Sequence, residues 1–139
     1  MSGDERVLEV VRGWVEKAEN DLKNASISLK AGPECPSDTV AFHAQQCAEK
    51  YLKALLTFRQ IEFPRTHDIG ELVVSSEIGT GLSVEEQRLL TAYATVTRYP
   101  GDYDPVSLTE ARRAVSLARR VRTAVRKVLP RQTLKGNKR

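Results

Sequence analysis

The run from Phe42 to Leu56, FHAQQCAEKYLKALL, constrains this chain more than any other stretch. Wound as an α-helix, it sets Ala44, Cys47, Ala48, Tyr51, Leu52 and Leu55 at steps of three and four, one broad apolar face that must be buried. His43, Gln46, Lys50 and Lys53 gather on a polar flank, with Gln45 and Glu49 on a neighbouring line one turn apart. Such a helix needs partner helices, and the rest of the chain supplies their signals.

Leu8, Val11, Val15, Ala18, Leu22, Ala25 and Leu29 predict a first helix over about Val7 to Lys30, ended by Gly32-Pro33. Ser37 or Asp38 is expected to cap the second helix, which runs to about Gln60 before Phe63-Pro64 breaks it. Asp68 with Glu71 predicts a short helix ending near Gly79. Ser83 with Glu86 opens a fourth helix that turns Leu89, Leu90, Tyr93 and Val96 inward and ends at Pro100. Ser107 with Glu110 opens a last one, with Ala111, Ala114, Val115, Ala118, Val121, Val125 and Val128 on one face and Pro130 as its stop. Nothing alternates with a period of two, and the connections are short. The expected fold is therefore all-α, an antiparallel four- to five-helix up-and-down bundle over residues 1–130, with 131–139, RQTLKGNKR, a basic disordered tail.

A chain of 139 residues fits one such domain. No run approaches the roughly 20 apolar residues of a membrane span, and the opening MSGDERVLEV does not read as a secretory signal. Two cysteines, Cys35 in a loop and Cys47 on the apolar line, make no disulfide framework, so a cytoplasmic protein without membrane contact is expected. Gly79-Thr80-Gly81 lacks the preceding strand and the lysine of a phosphate loop. His43 and Cys47 stand four apart on a helix, a spacing that can hold a metal, but two ligands are not a site. No metal and no cofactor is assigned.

Charge is distributed unevenly. From Val106 onward there are 11 Lys/Arg against one acidic residue, Glu110, a net +10, while the remainder carries −6. Arg112-Arg113, Arg119-Arg120 and Arg126-Lys127 recur every seven residues, a stripe with steps of about 10.5 Å along a helix. Arginine forks match phosphate oxygens, so nucleic acid is one reading. A solubilising outer face and a docking face for an acidic protein are the others, and no glycine-aromatic RNA-binding signature accompanies the stripe.

Trp14 with Ala18, Asp21 and Leu22, then AQQCAEKYLKALL, then Thr66-His67-Asp68-Ile69, then Arg98-Tyr99-Pro100 stand in an order and spacing that resembles the HEPN domain. That helical-bundle family is linked to nucleotide binding, and the resemblance runs from about Trp14 to Val128. It implies a homodimer. In HEPN ribonucleases an Arg, four to six residues and a His from each protomer meet in the dimer cleft and cut RNA without metal. The arginine stabilises phosphorane charge while the imidazole moves a proton as the 2′-OH attacks. Here Arg98 fits, whereas the His position holds Tyr103, a poor general base at neutral pH, and the longer spacing reaches Pro105.

The resemblance further implies a toxin–antitoxin-type pair with a minimal nucleotidyltransferase. In some such toxins the partner attaches AMP to a Tyr two residues beyond the His; that position is Pro105, so Tyr103 or Tyr99 would substitute. Lys50, with Lys53, would face an anion-binding cleft, and Arg112, Arg119 and Arg126 would hold RNA. Two functions stand side by side: an RNA-cleaving or RNA-binding toxin through Arg98, Tyr103 and the stripe, and a non-catalytic nucleotide- or partner-binding module, which the missing histidine favours. Plainer readings stay open as well. Arg98 can cap a helix C-terminus before a turn, His67 can be hydrogen-bonded at the entry of the short helix, and Lys50 and Lys53 can lie on solvated surface.

Overall fold

The computed structural model describes residues 2–63, 65–95 and 105–134. Among them five α-helices form and no strand: α1 (Gly3–Leu29), α2 (Ser37–Phe58), α3 (Ile69–Ser76), α4 (Val84–Ala92) and α5 (Leu108–Val128), with 3-10 turns at Gly32–Glu34 and Arg131–Thr133. The fold is the all-α bundle that the periodicity predicts. No helix among the described residues is long and apolar enough to cross a membrane.

Capping chemistry sets most boundaries. Ser2 accepts from the Glu5 N–H, so α1 begins ahead of Val7, with Asp4 and Glu5 against the positive end of its dipole. Asp68 accepts from the Glu71 N–H to open α3, and Glu77, in the left-handed region at φ 57°, closes it before Gly79 is reached. Ser83 with Glu86 and Ser107 with Glu110 form complete reciprocal boxes on α4 and α5. The expected cap of α2 does not form. Pro36 is its N-cap, Ser37 Oγ turns back to the Cys35 carbonyl, and Asp38 accepts from its own neighbour Thr39, because both residues already lie inside the first turn.

The register of contacts fixes the topology. Asp21 meets His43 and Glu19 meets Arg122, so α1 runs opposite to both α2 and α5. Gly81 and Glu86 meet Arg120 while Tyr93 meets Glu110, so α4 is antiparallel to α5. The up-and-down alternation is interrupted once. After α2 the chain doubles back, bringing His67 to Glu49, and α3 then descends alongside α2 until Arg59 reaches the Ser76 carbonyl.

Central α2 buries Val40, Ala41, Ala44, Cys47, Ala48, Tyr51, Leu52, Leu55 and Leu56. Opposite it α5 buries mostly small residues, Ala111, Ala114, Ala118, Val121 and Val125, which lets the helix axes approach closely. The bundle also extends beyond Pro130. Thr133 is buried, Leu134 packs on the core and Arg12 Nε donates to the Gln132 carbonyl at 3.2 Å, so residues 131–134 pack with the bundle. The physical reason is that this stretch carries one apolar residue and a 3-10 turn that seats it. Residues 135–139 lie outside the described residues, as do Val96 and Pro100 at the expected end of the fourth helix.

Candidate functional site

A layer of polar side chains crosses the bundle where α1, α2 and α5 meet, and each carboxylate in it serves two cations or donors. Asp21 takes His43 Nδ1 on one oxygen at 2.8 Å and Lys50 Nζ on the other at 2.6 Å. Glu49 repeats the pattern with His67 Nδ1 at 2.8 Å and Lys53 Nζ at 2.9 Å, and Gln45 Nε2 adds a donor at 3.0 Å. Burial alone would raise the Glu49 pKa; the bonds from Lys53, Gln45 and His67 outweigh it and hold the carboxyl below its ordinary value. Lys53 is further enclosed by Trp14 and Phe63, whose ring centroids both lie 5.7 Å from its ammonium. The Gln45 amide also donates to the His67 carbonyl at 2.9 Å, tying the turn before α3 to α2.

The second half of the layer reaches α5. Arg122 Nε and Nη2 donate to the two Glu19 oxygens at 2.6 and 3.1 Å, the Tyr51 hydroxyl donates to Glu19 Oε2, and Arg126 Nη1 donates to Tyr51 Oη at 3.1 Å. Glu19 is thereby held below the ordinary carboxylate range against the opposing effect of its burial. Burial and then the Glu19 carboxylate push the Tyr51 phenol well above the usual range, so it stays protonated. The Cys47 thiol beside this layer is likewise pushed up, first by burial and then by Glu19 and Asp21. Asp21, Glu49 and Glu19 each have a cation in contact, and this arrangement holds helices together.

The outer face of α5 is different. Arg112, Arg113, Arg119, Arg120 and Lys127 are exposed along it. Glu86 is the carboxylate that answers two of them, at 3.3 Å from Arg120 Nη1 and 3.9 Å from Arg113 Nη2. Between this face and the loop Gly79–Gly81 lies an open groove of about 760 Å³, lined by Arg119, Arg120 and Lys127, the hydroxyl residues Thr80, Ser116 and Thr123, and the apolar Ile78, Ala124 and Val128. Arg119 Nη2 donates to Ser26 Oγ at 3.0 Å, and Arg120 Nη2 donates across the groove to the Gly81 carbonyl.

The structure therefore separates the residues singled out from sequence. Lys50 and Lys53 stand within the polar layer, each on its own carboxylate, and Arg126 reaches the Tyr51 phenol there. Arg112 and Arg119 stand on the outer face. Arg98, Tyr99 and Tyr103 lie outside the described residues. The flank that follows them, Pro105 and Val106, lines a small cavity with Cys35, Pro36, Ser37 and Asp38, so the chain re-enters the bundle beside the start of α2. Among the described residues no group of three or more His, Cys, Asp or Glu could hold a metal ion, and the His43 ring is committed to Asp21. Sequence reasoning missed Glu19 and Arg122 as a pair. Glu19 reads as an ordinary helical acid, and Arg122 falls outside the seven-residue recurrence.

A family model described as HEPN domain matches residues 11–128. Among solved structures the chain is similar to the crystal structure of an archaeal HEPN homologue, at 28% sequence identity and a TM-score of 0.62, the match covering 84% of this chain and 95% of that one. No curated protein matches the chain.

Proposed function

The chain belongs to the HEPN domain family, and on that footing we propose that it acts on or binds RNA, as the HEPN component of a toxin–antitoxin-type pair with a minimal nucleotidyltransferase. The observation that carries this reading is the outer face of α5, where five exposed Lys/Arg side chains stand against one carboxylate among the described residues, Glu86. A surface of that kind attracts a polyanion, and RNA is the polyanion on which this family's ribonucleases act. In the ribonuclease form of the proposal a homodimer joins two Arg98–Tyr103 segments. Arg98 stabilises charge on the phosphorane, and Tyr103 donates a hydrogen bond in place of the usual imidazole; Tyr103 or Tyr99 is also where a transferase partner would attach AMP.

A second reading, a non-catalytic module that binds nucleotide or the transferase, is favoured by Tyr103 at the motif's histidine position. One experiment separates them: labelled RNA in chelator, with wild type, Arg98→Ala and Tyr103→Phe. Cleavage by wild type that disappears in Arg98→Ala establishes the ribonuclease. Salt-sensitive retention without cleavage selects the binding module, and the absence of both removes RNA from the function.

A further inference from the structure

We infer that the groove between the Gly79–Gly81 loop and α5 grips the phosphate backbone of a single-stranded RNA, through residues outside the Arg98–Tyr103 segment. The inference rests on the reading of this chain as an RNA-acting protein and names the surface and side chains that do the holding.

The first ground is charge. Arg119, Arg120 and Lys127 line the groove and no carboxylate does. In the polar layer Lys50, Lys53 and Arg122 each meet a carboxylate. Glu86, outside the lining, meets Arg120, while among the described residues Arg119 and Lys127 meet no carboxylate, and hydroxyls of Ser116 and Thr123 stand beside these cations as hydrogen-bond donors to phosphate oxygens.

The second ground is orientation. A guanidinium has five N–H donors. Arg119 spends one on Ser26, and Arg120 spends one on the Gly81 carbonyl and one on Glu86. Both forks are therefore held in place with donors to spare, which lowers the entropy lost when phosphate binds. The loop is shaped for this approach. Gly81 has φ +76°, and a Cβ there would stand 3.3 Å from Arg120 Nη2, so a glycine lets the carbonyl reach the guanidinium.

The third ground is spacing. The cations form two stations, Arg119 with Arg120 and then Lys127, about 10.5 Å apart along α5 for a seven-residue step. Ala124 lies between them, and Ile78 and Val128 extend the apolar part of the lining. A compact phosphate group engages one station. Two stations in one groove suit the repeated phosphates of a strand.

The test is fluorescence anisotropy of a labelled single-stranded RNA across a salt series, using the full chain as wild type, Lys127→Ala, Thr123→Glu and the distant Arg6→Ala, each verified as folded by circular dichroism. Lys127→Ala should weaken binding about three- to tenfold at low salt and flatten the slope of log K against log salt by about 0.7. Thr123→Glu replaces a hydroxyl donor with a carboxylate between the stations, and should weaken binding at least as much. Arg6→Ala should bind as wild type. Binding unchanged in both groove variants, with wild type binding RNA in a salt-sensitive manner, overturns the groove and leaves the RNA reading intact. A wild type that binds no RNA overturns the RNA reading instead. In a parallel arm with AMP, a Lys127-dependent affinity for the mononucleotide with RNA binding untouched overturns the strand in favour of a free nucleotide.

Discussion

Arg122 of α5 holds Glu19 of α1 by two N–H···O bonds, of 2.6 and 3.1 Å, and the same carboxylate accepts the Tyr51 hydroxyl of α2. One acidic side chain thus joins three helices. Removing the guanidinium leaves a largely enclosed carboxylate with a single donor. Arg122→Ala should therefore lower unfolding free energy by about 2–3 kcal/mol, and Arg122→Lys, which keeps the charge but loses the fork, by about 1 kcal/mol. Urea denaturation of the three proteins measures both. Equal stability of all three would show that water already screens the pair.

Acid should unfold the protein through two carboxylates of the layer, Glu49 and Glu19. Glu49 and Glu19 have lowered folded-state pKa values, whereas in the unfolded chain they titrate near the ordinary 4.5. As pH falls, the unfolded form takes up protons first, so the stability these groups contribute is complete above about 4.5 and is lost as pH passes down through their folded values. The melting temperature should be flat down to about pH 5 and fall below that. Glu49→Gln should be less stable at neutral pH, since Lys53 loses its countercharge, and should show a shallower acid fall. An acid fall as steep as that of wild type would place the titrating groups elsewhere.

Cys47 should resist alkylation. Its sulfur is fully buried and its thiol is pushed far above the usual range, so at mildly alkaline pH almost no thiolate is present or reachable. Iodoacetamide followed by mass spectrometry should find Cys47 unmodified in the native protein and fully modified in urea, with the Arg122→Ala variant reacting faster than wild type in proportion to its lost stability. Rapid native labelling at Cys47 would mean that α2 separates from its neighbours far more readily than this packing allows.

The apolar face of Phe42–Leu56 and the boxes at Ser83–Glu86 and Ser107–Glu110 were legible because they are local, set by spacing within one or two turns. The cap of α2 was not, since Ser37 and Asp38 both suit the role and only the path out of Pro36 decides that neither takes it. Lys50 and Lys53 were correctly placed on one flank of a helix. A helical wheel, however, cannot say that α1 brings Asp21 to that flank or that Trp14 and Phe63 enclose Lys53. Glu19 and Arg122 stand 103 residues apart, and nothing in either neighbourhood marks them as partners. The arginine stripe was visible on α5. Its facing wall was not, because only the tertiary packing of α4 against α5 brings the Gly79–Gly81 loop beside the stripe.

The long reach from Glu19 to Arg122 also bears on the order in which the molecule assembles. α1 and α2 are joined by a short connection, so their hairpin closes with little loop entropy and its Asp21, His43 and Lys50 contacts form among near neighbours. α5 is the last of the described helices, and until it docks Glu19 lacks the Arg122 guanidinium and the buried apolar face of α2 lacks its cover. A nascent chain halted before α5 would present an apolar strip beside an uncompensated acid, the kind of surface chaperones recognise. The basic helix thus brings the guanidinium that completes the contact among the first, second and last of the described helices.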